Sequence, residues 1–268
     1  VIEILLKYRI RNPKHFFEYL NLCLKIKEKK YDIYYIDLPG LPYFMPLLRL
    51  FLNPNKTVIA LHNVSIPKGA QNEILSKIYN HFTLSFFTNF HVFSKSQKDY
   101  LVDKHKKKKV MYAPLALKDF GEFNGEKSNE IVFLNFGIIR DYKRIDTLIN
   151  AAIIAKKRTN IPFKVKIAGR CDNWAQYQKM IKIPEIFELK IEQIPNNEVP
   201  KLFNTSHYFV LPYQDIAQSG ALTVALNYNL PIIASRLPAF EEFIEDGKTG
   251  FLIKPASIEE LSEKIVYI

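Results

Sequence analysis

The sequence predicts an α/β chain of two Rossmann-like, doubly wound domains, and three observations predict it. Short β-branched or aromatic runs alternate with longer runs of helical apolar spacing along the 268 residues, the grammar of βαβ units and parallel sheets. One polar stretch, Leu115 to Asn129, interrupts that alternation with two glycines and no apolar period. The charge changes there too: residues 1–115 hold 19 Lys and Arg against 8 Asp and Glu, while residues 116–268 hold 19 of each. We therefore expect one domain over 1–115 and another over 116–268. Doubly wound sheets facing a cleft take ligands at the carboxyl ends of their strands.

The elements follow in order. Residues 14–30 carry Phe16, Phe17, Leu20, Leu22, Leu24 and Ile26 at helical spacing and close on lysines, as near a helix C-terminus. Tyr31 to Ile36 is aromatic and β-branched, which predicts a buried strand, and Asp37-Leu38-Pro39-Gly40 breaks it. A helix is expected over 41–52, a strand over 57–62, a helix over 73–88 and a strand over 91–94. A helix over 97–105 and a strand over 110–113 complete the first half. In the second half strands are expected at 131–136, 164–169, 189–192, 208–211 and 231–234. Helices are expected at 144–157, 174–181, 198–204 and 220–227, with a closing helix from Ser257.

Composition excludes several classes. With 48% hydrophobic and 24% charged residues the chain is globular rather than disordered. Cys23 and Cys171 stand far apart and form no framework, which suits a reducing cytosol. The opening Val1 to Lys7 shows no secretory pattern, and the most apolar stretch, Leu41 to Leu52, is too short to span a bilayer. The six histidines lack ligand spacing, so no metal is expected. The basic first half suits nucleic acid, anionic lipid or a phosphorylated substrate, and equally a solvated basic face. Without a stacking motif or recognition helix, a nucleic-acid partner is not expected. The run Lys106 to Lys109 reads as a contact for an anionic membrane or as a solvated turn.

Four strand-end loops can carry chemistry. In the first, Phe136 to Arg144, Gly137 lets the backbone turn into a helix, and Arg140 and Lys143 add cations where a helix dipole disfavours them. An anion between them, most simply a diphosphate, resolves the conflict; a solvated basic turn is the alternative. In the second, Leu211 to Ala225, Ser219 and Gly220 open a helix whose amides hold phosphate or sugar oxygens, and Asp215 and Gln218 offer contacts to hydroxyls. An ordinary Ser-capped helix reads the same way. The third places His62 at a strand end. The fourth, Glu241 to Gly250, contains Glu242 and reads as hydroxyl-binding carboxylates or a solvated loop.

The order and spacing of these motifs resemble the GT-B glycosyltransferases of the large retaining family four, most strongly from Ile131 to Ile253. Phe136-Gly-Ile-Ile-Arg-Asp-Tyr-Lys143 with Ile145 to Ala151, then Ile167-Ala-Gly169, Leu211-Pro-Tyr213, Pro231 to Ser235, Glu242 and Glu245 to Ile253 carry it. In the first half, Leu61-His-Asn-Val64 and Val92 to Ser96 resemble acceptor-domain strand ends. The resemblance implies transfer of a sugar with retention from a nucleotide-diphosphate sugar to a glycan or lipid-linked acceptor, in surface polysaccharide or glycolipid synthesis. It implies that Gly137, Arg140, Lys143, Gln218, Ser219, Gly220 and Glu242 bind the donor, and that His62 and Asp215 are catalytic. No resident cofactor is implied, because the nucleotide sugar is a substrate. The implied location is cytoplasmic, peripheral at the inner membrane face.

The chain departs from the family pattern. The two donor-loop glutamates would fall at Ile216 and Val224, the residue after the glycine is Ile138, and the usual glycine after the lysine is Arg144. The family's first strands and closing helices are expected to lie outside this sequence. These departures leave open an inactive GT-B-like binding subunit, or a sugar-nucleotide epimerase. A nicotinamide dehydrogenase is disfavoured because no G-x-G-x-x-G occurs.

Overall fold

The computed structural model describes residues 12–37, 43–64, 66 and 73–268. The expected opening Val1 to Lys7, the Leu38-Pro39-Gly40 breaker and the first two positions of the helix expected at 41–52 lie outside those residues. The chain forms two compact units, Val1–Pro114 and Leu115–Ile268.

The first unit carries α1 (Lys14–Glu28), β1 (Tyr34–Ile36), α2 (Phe44–Phe51), β2 (Thr57–Leu61), α3 (Glu73–Phe86), β3 (Asn89–Val92), α4 (Lys95–Lys104) and β4 (Lys109–Tyr112). Its four strands are parallel in the order β1-β2-β3-β4. The i, i+4, i+8 positions His15, Tyr19 and Cys23 of α1 are buried, and Tyr19 stacks on Phe44 of α2 with ring centroids 3.6 Å apart. The strand expected to be buried over 31–36 is shorter and lies at the edge of the sheet among the described residues; of β1 only Ile36 is buried, while Tyr35 is exposed. The third strand begins two residues earlier than expected. Ser94 is released from it to cap α4, accepting from the Gln97 amide at 3.3 Å.

One lysine of the basic run is structural. Lys108 Nζ donates to the carbonyls of Leu84 and Phe87, at 2.5 and 2.8 Å, and so closes the C-terminus of α3. Burial lowers its pKa. Lys106, Lys107 and Lys109 are exposed. Among the described residues, no helix is long and apolar enough to cross a membrane.

The second unit carries β5 (Ile131–Phe136), α5 (Ile145–Arg158), β6 (Phe163–Ala168), α6 (Ala175–Gln178), β7 (Phe187–Lys190), α7 (Val199–Asn204) and β8 (Tyr208–Leu211). It ends with α8 (Gly220–Asn227), β9 (Ile232–Ser235), α9 (Pro238–Glu241), β10 (Gly250–Ile253) and α10 (Ile258–Tyr267). Six parallel strands stand in the order β10-β9-β8-β5-β6-β7. The chain winds outward from β5 through β7, then returns to β8 on the other side of β5 and winds outward again. The reversal between β5 and β8 is the topological switch point of a doubly wound sheet. Near-continuous apolar runs such as Phe209-Val210-Leu211, fully buried, are what a sheet covered on both faces requires.

Two elements of this unit, α9 and β10, were not expected. Thr249-Gly250 reads as a turn, yet Gly250 opens β10, and a Cβ there would lie 2.4 Å from the Ile232 carbonyl of β9. The carboxylates before it serve the turn: Asp246 accepts from the Leu252 amide at 2.9 Å and pairs with Arg236 at 2.5 Å, while Glu245 pairs with Lys248. The polar stretch 115–129 has no regular structure, but it is more than a connection. Asp119 meets Asn227 at 3.4 Å, and Tyr228 Oη accepts from the Phe120 amide at 3.2 Å and donates to the Gly121 carbonyl at 2.9 Å. It straps the C-terminal end of α8.

Candidate functional site

The loop after β5 is zipped onto the segment after β6. The Gly137 amide donates to the Ala168 carbonyl, and the Ile139 amide to that of Arg170, both at 2.9 Å. Gly137 has φ +112° and Gly169 φ +148°, conformations that side-chain-bearing residues avoid. A Cβ on Gly169 would lie 2.1 Å from the Gly137 oxygen, so the two loops approach this closely only through glycine. Arg140 continues the seam by pairing with Asp172 at 2.6 Å. That hydrogen bond holds the Asp172 carboxyl below its ordinary pKa.

On its other side the loop meets the one after β8. The Gln214 amide donates to the Tyr142 carbonyl at 2.7 Å, and the Tyr142 and Tyr213 rings meet edge to face at 6.0 Å. Lys143 Nζ sits 5.4 Å from the centre of the Tyr213 ring, and a Cβ on Gly137 would be 3.4 Å from it. Burial, then the neighbouring Arg140 charge, lowers the Lys143 pKa, while Tyr142 opposes them. Lys143 forms no ion pair among the described residues. Its ammonium is thus held desolvated against an aromatic face, with no carboxylate to balance it.

Arg144 caps α5 with φ +52° and ψ +51°, the left-handed region, where the family usually has glycine. Its side chain makes three contacts with Asp146 at 2.9, 3.1 and 2.6 Å and reaches Gln214 Oε1 at 3.2 Å. The helical hydrogen bonds of α8 begin at Gly220, with Ser219 accepting from the Leu222 amide at 3.2 Å. The Tyr213 hydroxyl is buried and points toward Ser219, which counters the upward push of burial on its pKa. Its oxygen completes no hydrogen bond among the described residues.

Gly137, Arg140, Lys143, Ser219 and Gly220 therefore lie on the two loops that leave the switch point. Gln218 is half-buried just before the α8 cap, and Asp215 is exposed one residue beyond Gln214. Glu242 lies further out, closing α9 after β9. One residue of this region escapes sequence reading: a Cβ on Gly220 would lie 3.6 Å from Lys118 Nζ.

His62 belongs to the first unit. It follows β2, contacts Asp37 at 2.7 Å and stacks on Phe93 at 4.5 Å. His91 of β3 contacts Tyr35 Oη at 2.6 Å and the Ala113 carbonyl at 3.0 Å. Since a carbonyl only accepts, Nε2 of His91 donates to Ala113. Asp37, His62 and Phe93 each follow a different strand at the carboxyl edge of this sheet; Asp37 was read only as part of a turn. No His, Cys, Asp and Glu group able to hold a metal ion occurs among the described residues.

The strand order and the loops at its reversal define the class: a parallel, doubly wound α/β protein of the GT-B kind. The sequence profile described as "Glycosyl transferases group 1" matches residues 118–268, and the chain belongs to that family. Solved structures share the fold. S. aureus TarM, in a crystal with fondaparinux, α-GlcNAc-glycerol and UDP, superposes with a TM-score of 0.72 at 20% identity, over 92% of this chain and 51% of its own. A glycosyltransferase from Rickettsia africae does so with 0.70 at 17% identity, over 98% and 73%. Sucrose-phosphate synthase from Thermosynechococcus elongatus gives 0.71 at 14% identity, over 97% and 71%. The chain spans about half the length of TarM. No curated protein matches it by sequence.

Proposed function

We propose that the protein transfers a sugar from a nucleotide-diphosphate sugar to a glycan or lipid-linked acceptor, with retention at the anomeric carbon. One observation carries this reading: at the switch point Lys143 is held against Tyr213 beside Gly137, a half-buried cation with no ion pair among the described residues, between loops that lead into α5 and α8. An anion there gains the ammonium and the free amides of α8 together. The group that leaves in such a transfer is a nucleoside diphosphate. Charge that develops on it as the glycosidic bond breaks is stabilised by donors already in place.

In this reading Gly137 allows close approach of the phosphates, and Ser219 and Gly220 present the start of α8. Gln218, Asp215 and Glu242 address sugar or ribose hydroxyls. Arg140, paired with Asp172, steadies the loop or exchanges that carboxylate for phosphate. The first unit supplies the acceptor side, where His62, held by Asp37, is read as catalytic. The leaving diphosphate accepts the acceptor's proton. Exposed Lys106, Lys107 and Lys109 suit an anionic membrane surface, and the activity is assigned to the cytoplasmic side.

Three structures of this fold were solved with UDP, those of TarM, pneumococcal GtfA and Anabaena HepE. This makes UDP the first ligand to try. The test is calorimetric titration of UDP and GDP into the protein. Binding of one of them, weakened at least 10-fold in Lys143→Met, is expected, one charge-assisted contact being worth about 1.5–3 kcal/mol. Binding of neither to folded protein overturns the reading and favours a subunit that binds glycan without a nucleotide.

A further inference from the structure

We infer that Lys118 is a second cation for the donor diphosphate, brought to the start of α8 by the strap; this rests on the donor-site reading above. The strap fixes where Lys118 starts. Asp119, Phe120 and Gly121 are hydrogen-bonded to Asn227 and Tyr228 at the far end of α8. The Lys118 ammonium ends 3.6 Å from the place of a Gly220 Cβ. Gly220 is the first residue of α8. Any longer residue at 220 would occupy that space.

The position makes no sense for stability alone. A cation at a helix N-terminus is repelled by the helix dipole. Lys118 is exposed and forms no ion pair among the described residues, so nothing in the unit offsets that repulsion. A second observation marks the same spot as a place for a ligand. The buried Tyr213 hydroxyl points toward Ser219, the α8 cap, with its oxygen completing no hydrogen bond among the described residues. Lys143 Nζ sits over that ring, 5.4 Å from its centre.

The charges then match the ligand. A nucleoside diphosphate ester carries one negative charge on each of two phosphates. Lys143 and Lys118 form no ion pair among the described residues; Lys143 lies on the loop after β5, and Lys118 reaches the start of α8 from the strap. Arg140 and Arg144, by contrast, are each bound to an aspartate. The second cation of the site thus comes from a segment 25 residues before Lys143, outside the stretch in which the diphosphate motif lies.

The test is titration of the nucleotide that binds the wild-type protein, UDP or GDP, and of its monophosphate, into Lys118→Met, Lys118→Arg and Arg140→Met. Thermal unfolding of each variant checks the fold, which an exposed lysine leaves unchanged. Lys118→Met is expected to lose about 10-fold in diphosphate affinity, as for one charge-assisted contact. Its loss on the monophosphate is expected to be smaller, and Lys118→Arg to restore most of the affinity. Diphosphate affinity within twofold of wild type in Lys118→Met overturns the inference and leaves the donor site standing. So does an equal loss on mono- and diphosphate, which places Lys118 on the nucleoside. If the wild-type protein binds neither UDP nor GDP, the donor-site reading fails and takes this inference with it.

Discussion

The two units solve the placement of charge in opposite ways. The first holds all of the net +11, yet the polar groups at the carboxyl edge of its sheet are satisfied by one another: His62 by Asp37, and His91 by Tyr35 and Ala113. The second is neutral overall, yet at its switch point stand two lysines that form no ion pair among the described residues, Lys143 and Lys118. Net charge describes how a unit meets salt and surfaces. An anion site is made by local imbalance, and in the proposed reading a neutral unit builds one while the two arginines of the loop after β5, Arg140 and Arg144, are paired with aspartates. The basic unit can even spend a lysine on structure, as Lys108 does under α3.

The sharpest way to break this contrast is at the backbone. Gly169→Ala forces a methyl against the Gly137 carbonyl at a φ alanine avoids, and is expected to cost about 2–4 kcal/mol. Thermal unfolding should fall by roughly 4–16 °C, given about 2–4 °C per kcal/mol for units of this size. Gly247→Ala is the control: its φ is also positive, but nothing lies within 4 Å of the added methyl, so about 1 kcal/mol is expected. Equal effects would show that the close approach of the two loops contributes nothing.

Lys143→Met comes next. It should abolish most nucleotide binding while leaving the unfolding temperature unchanged or higher, because it removes a desolvated charge. Lys108→Met should do the reverse. It frees two carbonyls at the end of α3, costing about 1–2 kcal/mol, and leaves nucleotide affinity alone. Loss of nucleotide binding in Lys108→Met would dissolve the distinction between the units. It also means that membrane binding is best tested with Lys106→Glu and Lys107→Glu, since changing Lys108 confounds binding with folding.

The smallest effect concerns acid. The Leu252 amide, then Arg236, hold the Asp246 pKa below its usual 3.8. A depressed carboxyl pKa contributes stability that is present above the unfolded value and lost as pH falls through the folded one. The unfolding temperature of the wild type should therefore drop more steeply between pH 4 and pH 3 than that of Asp246→Asn. Parallel curves would remove Asp246 from the acid response.

Much of the fold was legible. The limits of β5, β8 and α8 follow from sequence pattern alone, because buried parallel strands are continuous apolar runs and α8 opens on a Ser-Gly pair. β10 was hidden, since four residues after a Thr-Gly turn give no period to read. Gly137, Lys143, Ser219 and Gly220 were legible as strand-to-helix loops. Lys118 was not: its segment has no periodicity, and its proximity to Gly220 is created by hydrogen bonds across more than a hundred residues. Asp37 was masked by the turn signal beside it. That Arg144 takes a left-handed backbone was legible only through the glycine expected there.

Arg144 has a consequence for the thermodynamics of ligand capture. A glycine at that place would relax the backbone and leave the β5 and β8 loops joined through Tyr142, Lys143, Tyr213 and Gln214. The arginine accepts the strained φ, braces itself on Asp146 and reaches across to Gln214. The disorder that a mobile loop would surrender when a ligand arrives is thereby given up during folding. Arg144→Gly should bind the same nucleotide with a more favourable enthalpy offset by a larger entropy loss, a change in how affinity is composed more than in how large it is.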